Sequence, residues 1–321
     1  MGGGQQKFRR WRSFATVLFV AATVALAAHS VPSEILLRSI IFLDMWIVVG
    51  LFLIFLIMRV WQAAALKISL AMVERQVSLL AAIGLIAIKG LFNQGVSGAG
   101  LVAQGVRAKH RFAIRYRDFG IVTFIQALTL TGTLGALLFL ALMGLVFTGS
   151  GLNALIILVA MIAMGLPIAA SLLWNAIPHD RISDRVSGWP DSEASKRLRS
   201  ALFQTRGIWI VASQAAFFGF RFCKFAAIAL LIQPDVSLTH LLVIVLIADL
   251  ATVVPITPGG IGVRELVIAT GGAMLGDLEV ALSAAIIDRV TGIAFSLIHG
   301  LFVVALHQWE GHDGRKYPGR N

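Results

Sequence analysis

Apolar residues run in blocks of about 20 or more along this chain, and blocks of that length can cross a bilayer core of roughly 30 Å as helices. The pattern predicts full spans at about 14–30, 40–60, 121–147, 152–173, 207–232 and 281–306. Two further hydrophobic stretches, 78–106 and 240–276, are broken by glycine, proline and polar residues. Stretches such as Gly50–Val60, apart from Arg59, and Ala154–Met164 are apolar on every face, so the in/out alternation of a membrane β-barrel is missing.

Composition sharpens the picture. Of the 321 residues 58% are apolar and only 13% are Asp, Glu, Lys or Arg, against about 45–50% and about 25% in soluble domains. So few charges cannot clothe a soluble globule, and the expected fold class is an all-α integral membrane protein. With Cys223 as the one cysteine, no intrachain disulfide or thiolate cluster can form. The basic stretch Met1–Arg12 followed by an apolar run reads as an uncleaved first helix rather than a signal peptide. Gln6 stands where N-myristoylation wants Ser or Thr.

The placement of positive charge orients the spans. Lys and Arg fall in the N-terminus, 59–75, 107–117, 179–206 and the tail from 307, which together hold 21 of the 27, while the opposite loops hold only Arg38. The positive-inside rule then predicts a multi-pass protein of the cell (inner) membrane with both termini cytoplasmic and an even number of crossings. Six full spans satisfy this if each broken stretch is re-entrant, 78–106 from the cytoplasm and 240–276 from outside. Eight complete spans are the alternative. In the re-entrant reading the first repeat (about 14–147) and the second (about 152–306) share one order of elements in opposite orientation, with a cytoplasmic tail at 307–321. Inverted-topology repeats of this kind are typical of secondary transporters, whose substrate sits where broken helices meet.

The breaks concentrate the candidate chemistry. The first contains Asn93, Gln94, Gly95 and Gly98; the second runs Pro255-Ile256-Thr257-Pro258-Gly259-Gly260-Ile261-Gly262-Val263-Arg264-Glu265. Proline removes backbone donors and glycine admits positive φ, so neither stretch can be one continuous helix. Bare backbone at membrane depth is tolerated only inside protein or around a wet cavity. A helix restarting after Gly262 aims its N-terminal dipole and Arg264 at that cavity, a setting suited to an anion.

Lys89, Arg221, Lys224, Arg264 and Arg289 lie within hydrophobic zones, as do the acids Asp44, Asp249, Glu265 and Asp288. Such charges cost at least about 2.5 kcal/mol each at the bilayer centre, so they face a bundle interior, where they mark a pathway or pair with one another. Arg221 and Lys224 sit mid-span and either bind an anionic headgroup or neutralise Asp249 or Asp288. Ala284, Asp288, Gly292, Ser296 and Gly300 recur every fourth residue, a small polar stripe suited to close helix packing. Thr129–Gly135 reads as a similar contact surface.

Soluble-enzyme motifs are absent or out of context. Gly98-Ala99-Gly100-Leu101-Val102-Ala103 fits a dinucleotide fingerprint, but no strand precedes it. There is no Walker A, H-E-x-x-H or G-x-S-x-G motif, and the seven histidines lack metal-ligand spacing. The basic loops are topogenic and suit anionic lipid headgroups at the cytoplasmic face rather than nucleic acid.

Pro255-x-x-Pro258-Gly259-Gly260-x-Gly262-x-x-Glu265, with Gly276 and a last span carrying Arg289, resembles the signature of the lysylphosphatidylglycerol synthase transmembrane-region, or flippase-like, family. The resemblance covers about 14–306. The first break departs from it, with Gly95-Val96-Ser97-Gly98 in place of a Pro-Gly pair ahead of Arg107. The resemblance implies a cofactor-free translocase that moves a lipid or lipid-linked substrate between leaflets. Pro258, Gly259, Gly260, Gly262, Arg264, Glu265, Arg221, Lys224, Asp288, Arg289, Asn93 and Gln94 are its candidate substrate-binding residues. Bifunctional relatives carry a cytoplasmic aminoacyltransferase domain after the membrane part; here 15 residues follow the last span, so a chain without that enzyme activity is expected. A membrane-embedded transferase using Glu265 or Asp288 as base, or an accessory subunit for envelope-lipid assembly, are the alternatives.

Overall fold

The computed structural model describes residues 44–93, 98–147, 205–252, 263–275 and 278–312, and among them the chain is all-helical. Eight helices appear in order: α1 Met45–Met72, α2 Leu79–Asn93, α3 Ala99–Phe112, α4 Tyr116–Phe147, α5 Thr205–Ile232, α6 Leu238–Ala251, α7 Val263–Leu275 and α8 Leu278–His312. Their lengths run long, short, short, long, and then repeat. Four of them, α1, α4, α5 and α8, are long and apolar enough to cross a membrane. The short helices have 13 to 15 residues, about 20–22 Å at 1.5 Å per residue and short of a bilayer core. The expected spans at 14–30 and 152–173 lie outside the described residues.

The helices α2, α3, α6 and α7 are described on either side of the glycine- and proline-containing stretches, but α1 runs well past its expected end near 60. Its sequence after Val60, Trp61-Gln62-Ala63-Ala64-Ala65-Leu66-Lys67, is less apolar yet made of good helix formers, so the helix outlasts the apolar block. It stops in a Schellman turn. Arg75 N–H donates to the Leu70 carbonyl and Glu74 N–H to that of Ala71, with Glu74 at φ 59° where glycine is usual.

Two faces of each long helix do different work. On α1, Trp46, Val49, Leu53, Ile57 and Val60 are exposed at i, i+3 and i+4 spacing, a lipid-facing stripe. The opposite face buries Leu51, Phe55, Met58, Leu66 and Leu70. Leu51 and Phe55 join Phe225, Ile228, Ile244, Ala248, Ala284 and Phe295 in a core shared by α1, α5, α6 and α8. Since lipid tails are as apolar as leucine, such packing holds helices by close fit rather than by escape from water. The α8 stripe does face inward: Ala284, Asp288, Ser296 and Gly300 are buried, while Val290, Ile298, Leu301 and Phe302 point outward. Gly300 is small because Leu91 of α2 lies against it, 2.9 Å from where a Cβ would stand. The α4 threonine segment is a contact surface as expected. Gln214 of α5 donates to Thr129 Oγ1 (2.9 Å) and to the Gln126 carbonyl (3.3 Å), and accepts from Thr133 (3.3 Å).

The α2–α3 pair is fixed at its tip. Gly98 adopts φ 78°, and Gly100 N–H donates to Asn93 Oδ1 at 3.0 Å. A Cβ on Gly100 would collide with the Lys89 carbonyl and the Asn93 side chain. At its open end the pair meets neighbouring elements: Arg75, just before α2, pairs with Asp118 of α4 at 3.6 Å. Arg206 of α5 donates to the Ala71 carbonyl of α1 at 3.2 Å. The start of α2, the end of α1 and the starts of α4 and α5 therefore gather at one end of the bundle.

Candidate functional site

Seven charged side chains from four consecutive helices meet inside the second half. Arg221 and Lys224, three residues apart, share one face of α5. Asp249 closes α6, Arg264 and Glu265 open α7, and Asp288 and Arg289 lie in mid-α8. Arg221 Nη2 reaches Asp249 Oδ1 at 2.7 Å, and Arg264 Nε donates to the same oxygen at 3.3 Å. Arg264 Nη1 reaches Asp288 Oδ2 at 3.0 Å, while Lys224 Nζ holds Asp288 Oδ1 at 2.9 Å and donates to the Asp288 carbonyl at 3.3 Å. Arg289 Nε stands 3.7 Å from Glu265 Oε1.

Arg264 is thus the hinge of the cluster, clasped between two aspartates and 2% exposed. Planar guanidinium geometry suits it to serve two carboxylates on different helices at once. Aromatic rings close the space around it: Phe225 lies 5.8 Å from the Arg264 guanidinium, and Phe295 lies 5.6 Å from Lys224 Nζ. Gly292 keeps α8 thin beside Lys224, whose Nζ is 3.8 Å from the position of a Cβ there. Of the cations in the cluster Arg221 is the most open, with 26% of its side chain exposed against 4% for Lys224.

Burying charges this deeply is stable only when each is paired and hydrogen-bonded. The pairing is nearly complete: among the described residues four cations face three carboxylates, one positive charge more than negative. Two polar atoms also stay without a hydrogen-bond partner among the described residues, Asp249 Oδ2 and Arg264 Nη2. One of these atoms is an acceptor and the other a donor, so the cluster keeps one hydrogen-bonding position of each kind open.

Of the residues singled out from sequence, Arg221, Lys224, Arg264, Glu265, Asp288 and Arg289 come together here. Asn93 does not: its side chain is used on Gly100 at the α2–α3 tip. Pro258, Gly259, Gly260, Gly262 and Gln94 lie outside the described residues. Asp249, named from sequence only as an acidic counterpart, is a central member. Arg59 was missed as a site residue, because the end of the apolar block near 60 counted it with the cytoplasmic loop. It lies well inside α1 and donates to Ser296 Oγ of α8 at 3.0 Å.

Such helices and such a buried ionic cluster define a polytopic α-helical membrane protein with a polar interior. The chain belongs to the family described as the lysylphosphatidylglycerol synthase TM region, whose model matches residues 13–300. No curated protein matches the chain.

Proposed function

We propose that the protein is a flippase-like translocase that moves a lipid or lipid-linked substrate with an anionic headgroup across the cytoplasmic membrane. The observation that carries this reading is the excess of cations over carboxylates in the α5–α8 cluster among the described residues, with Arg264 Nη2 buried and without a hydrogen-bond partner among them. A headgroup phosphate offers the same oxygen chemistry as Asp249 and Asp288 and can exchange with them, so the cations stay paired as it passes. Arg221, the most exposed cation, makes first contact; Lys224 and Arg264 then share the headgroup, with Glu265, Asp288 and Arg289 restoring the pairs behind it. Pro258, Gly259, Gly260 and Gly262, outside the described residues, join the route on the strength of their sequence alone. Membership in a family of lipid-related membrane regions agrees with this role.

In the same reading each short helix pair is re-entrant and the two halves are inverted repeats. Support comes from the repeated long, short, short, long order and from the Arg75–Asp118 pair, which joins the approach to α2 with the exit from α3. Catalysis by Glu265 or Asp288 is disfavoured, since both carboxylates are engaged in ion pairs, Glu265 with Arg289 and Asp288 with Lys224 and Arg264.

Purified protein in vesicles containing a fluorescent phosphatidylglycerol should speed its movement between leaflets, read as the fraction quenched by an impermeant reductant. Arg221→Gln should slow it by roughly tenfold or more, the effect of losing one charge-assisted contact. Movement no faster than in protein-free vesicles would refute the proposal, and a covalently altered lipid would point to a transferase.

A further inference from the structure

Arg59 of α1 makes no ion pair with the α5–α8 cluster, yet its contacts converge on the ring that stands against Lys224. Its Nη2 donates to Ser296 Oγ of α8 at 3.0 Å, and Ser296 is the residue next to Phe295. Its guanidinium lies 4.7 Å over the Phe55 ring, and Phe55 meets Phe295 at 5.7 Å between centroids. Lys224 Nζ in turn stands 5.6 Å over the Phe295 ring. Ring pairs and ring–cation contacts at these separations are attractive. Arg59 therefore grips Phe295 along two paths, through its α8 neighbour and through Phe55, and Phe295 lies against the lysine that holds Asp288.

The grip has little slack. Arg59 Nη1 donates to Gln62 Oε1 at 2.8 Å, which fixes the plane of the guanidinium. Helix α2 passes at Gly90, where a Cβ would stand 3.1 Å from Nη2 and press the arginine away from Ser296. Phe52 meets Phe295 at 5.1 Å, and both Phe55 and Phe295 are buried. Among the described residues no Asp or Glu pairs with Arg59. A cation within an apolar helix is costly, and an uncharged side chain could fill the same volume. What the guanidinium adds is a hydrogen bond to α8 and a charge over Phe55 at once. Lys224 has a different need. To meet a headgroup it must leave Asp288 Oδ1 (2.9 Å) and the Asp288 carbonyl (3.3 Å) without swinging out of the cluster, and a fixed ring face beside its Nζ limits that movement. We infer that Arg59 is a positioning residue for headgroup transfer, which holds Phe295 through Ser296 and Phe55 and so sets how Lys224 moves between Asp288 and the headgroup. This deepens the translocase reading and rests on it.

Two measurements on the full-length protein test it, and one needs no transport. In detergent, acylation of Lys224 by an amine-reactive ester, read by peptide mass spectrometry against the exposed Lys67, reports how freely the lysine leaves its seat. Arg59→Gln and Ser296→Ala should each speed it by about fivefold, the effect of losing one hydrogen bond. Phe295→Leu should do the same, and combining it with Arg59→Gln should add little, because both act through one ring. Arg59→Lys keeps a cation over Phe55 and a donor for Ser296, so it should label as wild type does. Gly100→Ala weakens the α2–α3 tip without touching Phe295; it should lower the melting temperature and leave Lys224 labelling unchanged, which separates positioning from general loosening. In vesicles with fluorescent phosphatidylglycerol, Arg59→Gln should slow lipid movement by about fivefold and Arg59→Lys should restore it. The inference is overturned if Lys224 labels at the wild-type rate in both Arg59→Gln and Ser296→Ala, if Gly100→Ala speeds labelling as much as they do, or if Arg59→Gln moves lipid as fast as wild type. Wild type that moves no lipid refutes the translocase reading instead, and the labelling still shows whether Arg59 governs Lys224.

Discussion

Arg264 has to satisfy Asp249 and Asp288 at once, and this unequal sharing predicts how single substitutions rank. Arg264→Gln strands both aspartates on the side that arginine covers, and breaking a buried pair by removing one partner costs about 3–5 kcal/mol. Arg221→Gln is milder, because Arg264 still lies 3.3 Å from Asp249. Adding Asp249→Asn to Arg264→Gln should recover part of the loss. Melting temperatures in detergent decide this; equal losses from Arg221→Gln and Arg264→Gln would show that the two arginines do not share Asp249 in this way. The charged members were legible in the sequence, since a charge in a hydrophobic block has few places to go. Their partners were not, because helical spacing fixes a face and never says which helix lies opposite. Arg59 was hidden for another reason: it sits at the edge of an apolar block, where a boundary error of a few residues turns an interior cation into a loop cation.

At the scale of elements, the α2–α3 pair depends on one close approach. Gly100 lies so near the Lys89 carbonyl and Asn93 that any Cβ forces the two helices apart. Gly100→Ala should therefore cost about 3 kcal/mol, at the upper end of single-substitution effects. Gly98→Ala acts by another route, through its positive φ, with open space around the position. Thermal unfolding of both variants checks the ranking: a Gly100→Ala protein as stable as wild type would mean that the helix tip is looser than described. That a break occurs here was readable from Gly95 to Gly100, whereas the contact that makes Gly100 necessary joins residues of two helices and leaves no local pattern. The end of α1 was misplaced for the opposite reason. Hydropathy measures how long a segment is apolar, while alanine, leucine, lysine and glutamine continue a helix regardless.

For the whole molecule, the contacts at one end of the bundle and the distribution of charge make the same statement about orientation. Arg75 meets Asp118, Arg206 meets Ala71, and the exposed Lys109, Arg115 and Arg117 belong to the same end. Cytoplasmic loops collect such residues, and anionic lipid on that leaflet attracts them. The end that carries α3–α4 should therefore face the cytoplasm. Arg115, exposed in the turn before α4, is the place to test this, in a background where the exposed Cys223 is replaced by serine. A cysteine substituted at Arg115 should resist an impermeant maleimide applied to intact cells and react once the cells are opened. Labelling in intact cells would turn the molecule over and reverse the face from which α2 enters the membrane. The α5–α8 cluster would keep its internal pairs in either orientation, since those depend on helix packing alone, so such a result would change the direction of approach without touching the ionic core.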